Sequence, residues 1–475
     1  MVSATLVESL RLWLPEVILG LGAMGVVLCG ALTHRRAAAA MLTAVVLFAS
    51  AVLLVNAQAT PPAEGFFGMI RLDPLAHVFR WLAWGVVALV VLMAWCASDV
   101  SPKWFGEYLG LLMVVGVGLM LMAEAQHLLM AYLAIELVSL TSYLLVALTR
   151  DARSSEAGLK YLLFGALSSG IMLFGMSLLF GVTGELAFPA IREALERLPS
   201  SQMRLCATAV GLVSVGLAFK ISMVPFHLWT PDVYEGAPVP VTAMLSVGPK
   251  AAGFALWIRV IQMVEPVWGA LAPAVWWLTV VTMTVGNLAA LSQTNVKRLL
   301  AYSTIGQVGY LLIGLSVRTA AGIEAILVYL AAYLFMNLGA FACVVAVVTD
   351  SGSESVDAFR GLARRAPVLA LCCAVFLLSL AGLPPLFGFI GKFLLFGAAI
   401  QSQAVWLAVA GVVNSAIALY YYVNIIRQMY LLSPQQARPL RPAAAVQVAL
   451  GVCGVATVVF GVFPSGVFAW IQGVI

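Results

Sequence analysis

The chain is 475 residues long, 63% hydrophobic and only 9% charged, against roughly 25% charged in a soluble globular domain. So few charges could not cover the surface of a soluble protein of this length, which excludes a soluble enzyme or carrier. The formal net charge of +5 is too small to argue for nucleic acid, so the composition defines an all-α polytopic membrane protein.

A membrane helix takes about 20 apolar residues. Along the chain this predicts fourteen spans, at residues 12–32, 38–57, 75–96, 108–124, 127–148, 159–182, 205–225, 239–262, 272–292, 298–316, 322–348, 367–399, 404–429 and 443–466. The first has neither the basic flank nor the small-residue cleavage site of a signal peptide, so it is expected to be retained. No soluble domain fits between spans. The longest polar stretches are Gly184–Arg204 and Asp350–Pro367, and IREALERL in the first is expected to form a short surface helix.

Orientation follows from basic residues in short loops. One set of loops holds Arg35, Arg36, Lys103, Arg150, Arg153, Lys297, Arg298, Arg360, Arg364, Arg365, Arg438 and Arg441. The opposite set holds Arg71, Arg192, Arg197, Arg204 and Arg318. The richer set is expected to face the cytoplasm, which puts both termini outside. Metal and nucleotide chemistry find no support. The seven cysteines form no CxxC pair and are read as apolar packing residues. No GxGxxG follows a strand-like run, and no phosphate-binding GxxxxGK[ST] is present.

The ionisable residues inside the spans are the informative ones. Of six lysines, Lys220, Lys250 and Lys392 fall within apolar segments, where a charge costs about 2.5–3.5 kcal/mol on insertion scales. Lysine gains and loses a proton readily on burial, whereas arginine stays charged. A membrane site that must exchange protons would therefore use lysine. Bonding the carbonyls freed at broken helices is the structural alternative. Glu136, in MAYLAIELVSLTSYLL, lies far from either polar flank. It is expected to seek a cation or to be neutral. Glu107 and Glu124, at the two ends of the fourth span, are expected to be interfacial.

Lys220 precedes Pro225, Lys392 follows Pro384 and Pro385, and Lys250 follows Pro249. Proline removes a helical hydrogen bond and kinks the chain, so helix breaks are expected at all four prolines. Interrupted helices at matching places in two halves point to an ion pathway. Glu156 and Lys160, spaced i,i+4, are expected to pair on one helix face, as candidate helpers. His227, just after Pro225, is a candidate relay or an ordinary packed histidine. Tyr420, Tyr421 and Tyr422 are expected to form an interfacial belt rather than, as the alternative, to line a polar path.

AFKISMVPFHLWTPDVYEGAPVPV, LSQTNVKRLLAYSTIGQVGYLLIGL and LSLAGLPPLFGFIGKF resemble the antiporter-like subunits of the proton-pumping NADH:quinone oxidoreductase, respiratory complex I. The resemblance covers most of the chain. It implies two inverted five-helix repeats with discontinuous spans 7 and 12. The corresponding division is 1–100 for three N-terminal helices, 101–265 for the first repeat, 266–430 for the second and 431–475 for the last helix. It maps the proton path onto Glu136, Lys220, Lys250 and Lys392. Lys220 would be the protonation switch, biased by Glu136. Lys250 would pass the proton sideways, and Lys392 would serve the second half-channel. Many relatives have a histidine in the tenth span where this chain has Gln307, so a relay there is expected to use water or Tyr302. The resemblance further implies a bacterial inner-membrane location and no cofactor in this chain. NADH, FMN, iron–sulfur clusters and quinone would belong to or lie beside partner subunits, among them related antiporter-like subunits. A subunit of a related cation/proton antiporter or membrane-bound hydrogenase stays open. An autonomous solute transporter is disfavoured by the lack of a polar cluster suited to an organic solute, and an inert scaffold leaves the buried lysines unexplained.

Overall fold

The structure is a computed structural model that describes residues 6–57, 61–100, 102–434 and 438–473. The two ends of the chain, whose outer location the basic residues predict, lie outside the described residues.

Among the described residues thirteen helices are long and apolar enough to cross a membrane, and two shorter apolar helices of 15 residues each, read as one broken span, follow span 11. In order the spans are 1 (Leu14–Thr33), 2 (Arg36–Ala57), 3 (Pro74–Cys96), 4 (Phe105–Glu124), 5 (Leu128–Val146), 6 (Ala152–Thr183), 7 (Ser200–Ile221), 8 (Val239–Met263), 9 (Trp268–Ala290), 10 (Val296–Val317), 11 (Ala320–Ser351), 12a and 12b (Pro367–Ala381 and Phe387–Gln401), 13 (Val405–Leu431) and 14 (Ala444–Val462). Phe188–Glu196 forms the expected short helix in the Gly184–Arg204 loop. Two features were not expected: a helix Leu6–Leu12 before span 1, and a two-stranded antiparallel hairpin pairing Ala63–Gly65 with Ile70–Leu72.

Spans 4, 8, 10 and 11 are almost wholly enclosed, whereas spans 1, 9 and 13 expose most of their apolar surface, as lipid-facing helices do. Span 8 packs against spans 3, 4 and 11, and span 11 against 12a, 12b and 14. Spans 1 and 4 cross where Gly30 meets Gly106. A Cβ on Gly30 would lie 2.7 Å from the Gly106 Cα, so only glycine permits that approach.

Two spans are interrupted beside a buried lysine. Span 7 ends at Ile221, where Ser222 takes a left-handed conformation (φ 64°) and the Met223 N–H closes on the Ala218 carbonyl at 2.8 Å. An irregular stretch containing Pro225 follows, and then a short helix, Trp229–Gly236. Span 12 breaks in the same way at Gly382 (φ 89°), before Pro384 and Pro385. Pro249 corrects the sequence reading, because span 8 runs through it unbroken. A proline costs its helix one N–H donor, and the dense packing around span 8 supports the helix across that gap.

Candidate functional site

Lys220 occupies the last turn of span 7 and is 1% exposed. Its Nζ donates to Ser139 Oγ at 2.8 Å and to the Ile135 carbonyl at 3.3 Å, both on span 5. Glu136 lies between those residues in sequence but is turned toward span 6, where its carboxylate accepts a hydrogen bond from the Ser169 hydroxyl. Glu136 and Lys220 therefore interact through space without forming a contact ion pair.

Lys250 is completely buried on span 8, one turn before Gly253, where an added Cβ would lie 3.9 Å from the Lys220 stem. Its Nζ has no hydrogen-bond partner and sits over the Trp229 ring at 4.8 Å and the Tyr234 ring at 5.2 Å. The short helix after the span 7 break supplies both rings. Trp229 stacks on Tyr161 at 4.3 Å, and Tyr161 meets Tyr143 edge-on at 4.6 Å. Ser142 Oγ, Tyr161 Oη, His227 Nδ1, Trp229 Nε1 and Tyr234 Oη are also buried without partners. Unsatisfied polar groups gathered around a cation suit ordered water. His227 is buried in the irregular stretch after the span 7 break and makes no hydrogen bond to Lys220 or Lys250.

Beyond Lys250 the row continues through uncharged side chains. Asn337 on span 11 donates to Ser246 Oγ, one turn from Lys250, at 2.6 Å. Tyr333 donates to Thr304 Oγ1 at 3.0 Å. Gln307 is the hub. Its amide nitrogen donates to the Leu380 carbonyl at 3.0 Å and to Tyr422 Oη at 3.1 Å, and its oxygen accepts from the Tyr329 hydroxyl. Tyr422 also bonds Ser303 at 2.5 Å. Tyr421 donates to Asn287 Oδ1 at 3.0 Å, and Asn287 donates to Tyr310 Oη at 3.1 Å. Lys392 closes the row. It is 3% exposed, lies 4.1 Å above the Tyr310 ring, and donates to Ser415 Oγ at 3.2 Å and to the Ala381 carbonyl at 3.0 Å. That last bond satisfies a carbonyl freed at the end of span 12a, so Lys392 also caps the break.

Gln307 itself bonds Tyr329, Tyr422 and the Leu380 carbonyl. Two expectations are corrected here. Tyr421 and Tyr422 are buried in the polar row, and only Tyr420 faces outward, being 68% exposed. Glu124 is fully buried rather than interfacial. Sequence reasoning missed Tyr310, Tyr329, Tyr333, Asn287 and Asn337. The signal was spacing: Tyr329, Tyr333 and Asn337 recur every four residues, which places them on one face of span 11.

At the mouth facing the 350–367 loop lies a polar cavity of 680 Å³, lined by residues including Asp99, Arg153, Glu235 and Glu354. Asn295 caps span 10 by accepting from the Lys297 and Arg298 amides, which sets both cations in its first turn. Arg298 pairs with Asp232 at 2.7 Å and Glu235 at 2.9 Å, Arg153 with Glu354 at 2.6 Å, and Lys297 with Glu354 at 2.5 Å. Lys160 pairs with Glu156 at 2.9 Å, as its spacing predicts, and with Asp232 at 3.0 Å. Both helper residues therefore belong to this surface network. Burial alone would raise the Glu354 carboxyl. Lys297, joined by Asn295 and Arg153, outweighs that effect and holds it below its usual range. No group of His, Cys, Asp and Glu among the described residues is arranged to hold a metal ion.

These features define a polytopic helical membrane protein with two interrupted spans and buried ionisable and hydrogen-bonding side chains on the helices between them. A family profile described as NADH:quinone oxidoreductase/Mrp antiporter, TM matches residues 125–418, and the chain belongs to that family. It is 43% identical to "NADH-quinone oxidoreductase subunit N" of Anaeromyxobacter sp. (strain Fw109-5), over 98% of this chain and 97% of that protein. It superposes with a TM-score of 0.82, at 33% identity, on a chain of respiratory complex I from Thermus thermophilus, covering 96% of this chain and 98% of that one. A chain of the membrane-bound sulfane sulfur reductase, an archaeal respiratory membrane complex, shares the fold with a TM-score of 0.88 at 23% identity, covering 99% of this chain and 97% of the other.

Proposed function

We propose that this chain is the subunit N-type proton-translocating membrane subunit of a bacterial NADH:quinone oxidoreductase. The observation that carries the reading is the set of buried lysines Lys220, Lys250 and Lys392 with the buried hydrogen-bonded cluster around Gln307 and Tyr310, and a lysine beside each of the two helix breaks. Lys220 is the protonation switch and Glu136 its electrostatic bias. Lys250 carries the proton sideways with water held among the orphaned hydroxyls, and the Gln307 hub passes it on to Lys392. Glutamine does not titrate, so this middle segment works by reorienting hydrogen bonds between Tyr329, Tyr422 and water. Moving one charge against about 100 mV takes about 2.3 kcal/mol, close to a two-unit change in one lysine's proton affinity, about 2.7 kcal/mol.

The electrons travel elsewhere. NADH, FMN, iron–sulfur clusters and quinone belong to or lie beside partner subunits, and related antiporter-like subunits are neighbours in the bilayer. Spans 4–8 and 9–13 are read as the two inverted repeats, within the division 1–100, 101–265, 266–430 and 431–475. The 350–367 loop faces the cytoplasm and the 184–204 loop the outside of the inner membrane. The decisive experiment purifies the tagged chain in mild detergent and measures NADH-driven proton uptake in inverted vesicles. Redox subunits that copurify, together with uptake lost in a Lys250→Ala variant, support the reading. Copurification with antiporter subunits alone would assign the chain to an Mrp-type complex instead.

A further inference from the structure

Away from the lysine row, three ionisable side chains meet inside the N-terminal helices. Arg80 on span 3, Glu16 on span 1 and Glu124 at the end of span 4 are each 1% exposed or less. Arg80 Nε donates to Glu124 Oε1 at 2.7 Å, and Nη2 donates to Glu16 Oε2 at 2.8 Å and to the Leu12 carbonyl at 3.4 Å. Trp13 Nε1 donates to Glu124 Oε2 at 3.0 Å. Glu16 Oε1 also lies 2.7 Å from Arg80 Nε, and Arg80 Nη1 is buried without a hydrogen-bond partner. Both carboxyls thus converge on one guanidinium nitrogen, Arg80 Nε, at 2.7 Å each, and a single cation leaves one buried negative charge that a shared proton would neutralise.

The charge count agrees. One guanidinium faces two carboxyls, and the neighbouring charges are already engaged. On span 3, Asp73 takes both ends of the span 8 residue Arg259, at 2.8 and 3.0 Å, and is approached by Arg71 at 3.5 Å. Arg259 also donates to the Ala123 carbonyl at 2.5 Å. His77 sits one turn before Arg80 on span 3. On the Leu6–Leu12 helix, Glu8 and Arg11 point to the exterior.

We propose that Glu16, Glu124 and Arg80 form a binding site for a single exchangeable proton, shared between the two carboxyls and reached from the face that carries the 184–204 loop. Glu124, Trp13 and the Leu12 carbonyl all lie at helix ends on that face. The site stands outside the row that the proposed translocation uses, and it does not depend on that reading.

Infrared difference spectroscopy of the intact membrane-embedded complex through a pH step tests it. The wild type is expected to show a protonated carboxyl band at neutral pH that shifts downward in deuterated water. Glu16→Gln and Glu124→Gln should each abolish that band, whereas Glu136→Gln should leave it in place. A band untouched by both amide variants, or one that never exchanges in deuterated water, overturns the proposal, because the triad is then a static, fully ionised bridge. If the amide variants fail to assemble, Glu16→Asp keeps both carboxyls and must move the band; an unmoved band again overturns it.

Discussion

Lys220 binds Ser139 while Glu136, three residues earlier on the same helix, binds Ser169 of span 6. The span 7 ammonium thus docks on span 5, while the span 5 carboxylate turns toward span 6. A contact ion pair would trap the proton on the lysine, whereas a separated pair lets a small rotation of either side chain change how strongly one charge feels the other.

Glu136→Gln is therefore expected to slow NADH-driven proton uptake by about tenfold, or about 1.4 kcal/mol of barrier. Lys220→Ala should slow it at least as much, and the double variant should lose less than the sum of the two logarithms, because the residues are coupled. Uptake rates in inverted vesicles for all four members of the cycle measure this. Strict additivity with normal assembly would show that the two act independently.

Gln307 offers a sharper test of the middle segment. Gln307→Leu removes the partner of two buried hydroxyls and of the Leu380 carbonyl, and leaving such groups unpaired costs about 1–3 kcal/mol each. Uptake is expected to fall by more than tenfold, and the melting temperature in detergent to drop. Gln307→His keeps a donor and an acceptor and adds a titratable group. It should sustain uptake and add an inflection to the pH profile near the ordinary histidine value of about 6.5. Uptake unchanged in Gln307→Leu would remove the hub from the path.

How much of this was legible in the sequence depends on the kind of signal. The spans were legible because lipid demands long apolar runs, and Lys220, Lys250, Lys392 and Glu136 because a charge inside such a run stands out. The breaks at Pro225 and Pro384 were legible from composition, but Pro249 was misread, since whether a proline ends a helix is decided by the packing around it. Tyr421 and Tyr422 were assigned to the interface because aromatic clusters often sit there; their burial depends on which face of span 13 meets spans 9 and 10. Arg80 was passed over because it lies near a span end, and its two carboxylate partners come from spans 1 and 4, far apart in sequence.

The Glu354 carboxyl gives a pH dependence with a definite sign. It is held below its usual range in the folded chain, so its contribution to stability is fully present above the ordinary glutamate range. That contribution fades as pH falls through the lowered value. Melting in detergent should show wild type more stable than Glu354→Gln at about pH 7, by about 1–3 kcal/mol. The gap should close on acidification past the ordinary glutamate value of about 4.3. A gap that stayed constant down to strongly acid pH would mean that the substitution acts through packing and not through the bond to Lys297.

Lys392 has two roles open to it, and they separate on substitution. As a cap it bonds the Ala381 carbonyl at 3.0 Å; as a proton station it lies at the end of the polar row above Tyr310. Lys392→Ala removes a buried cation, so insertion becomes easier and assembly should survive. Lys392→Arg keeps a donor for the carbonyl but holds its proton at any working pH. If Lys392 is a proton station, both variants assemble and both lose most coupled uptake, with Arg rescuing poorly. If it is a cap alone, Arg restores the melting temperature and the uptake together. Uptake and melting temperature measured side by side on the two variants separate the cases, and full uptake in Lys392→Ala would end the path before span 12.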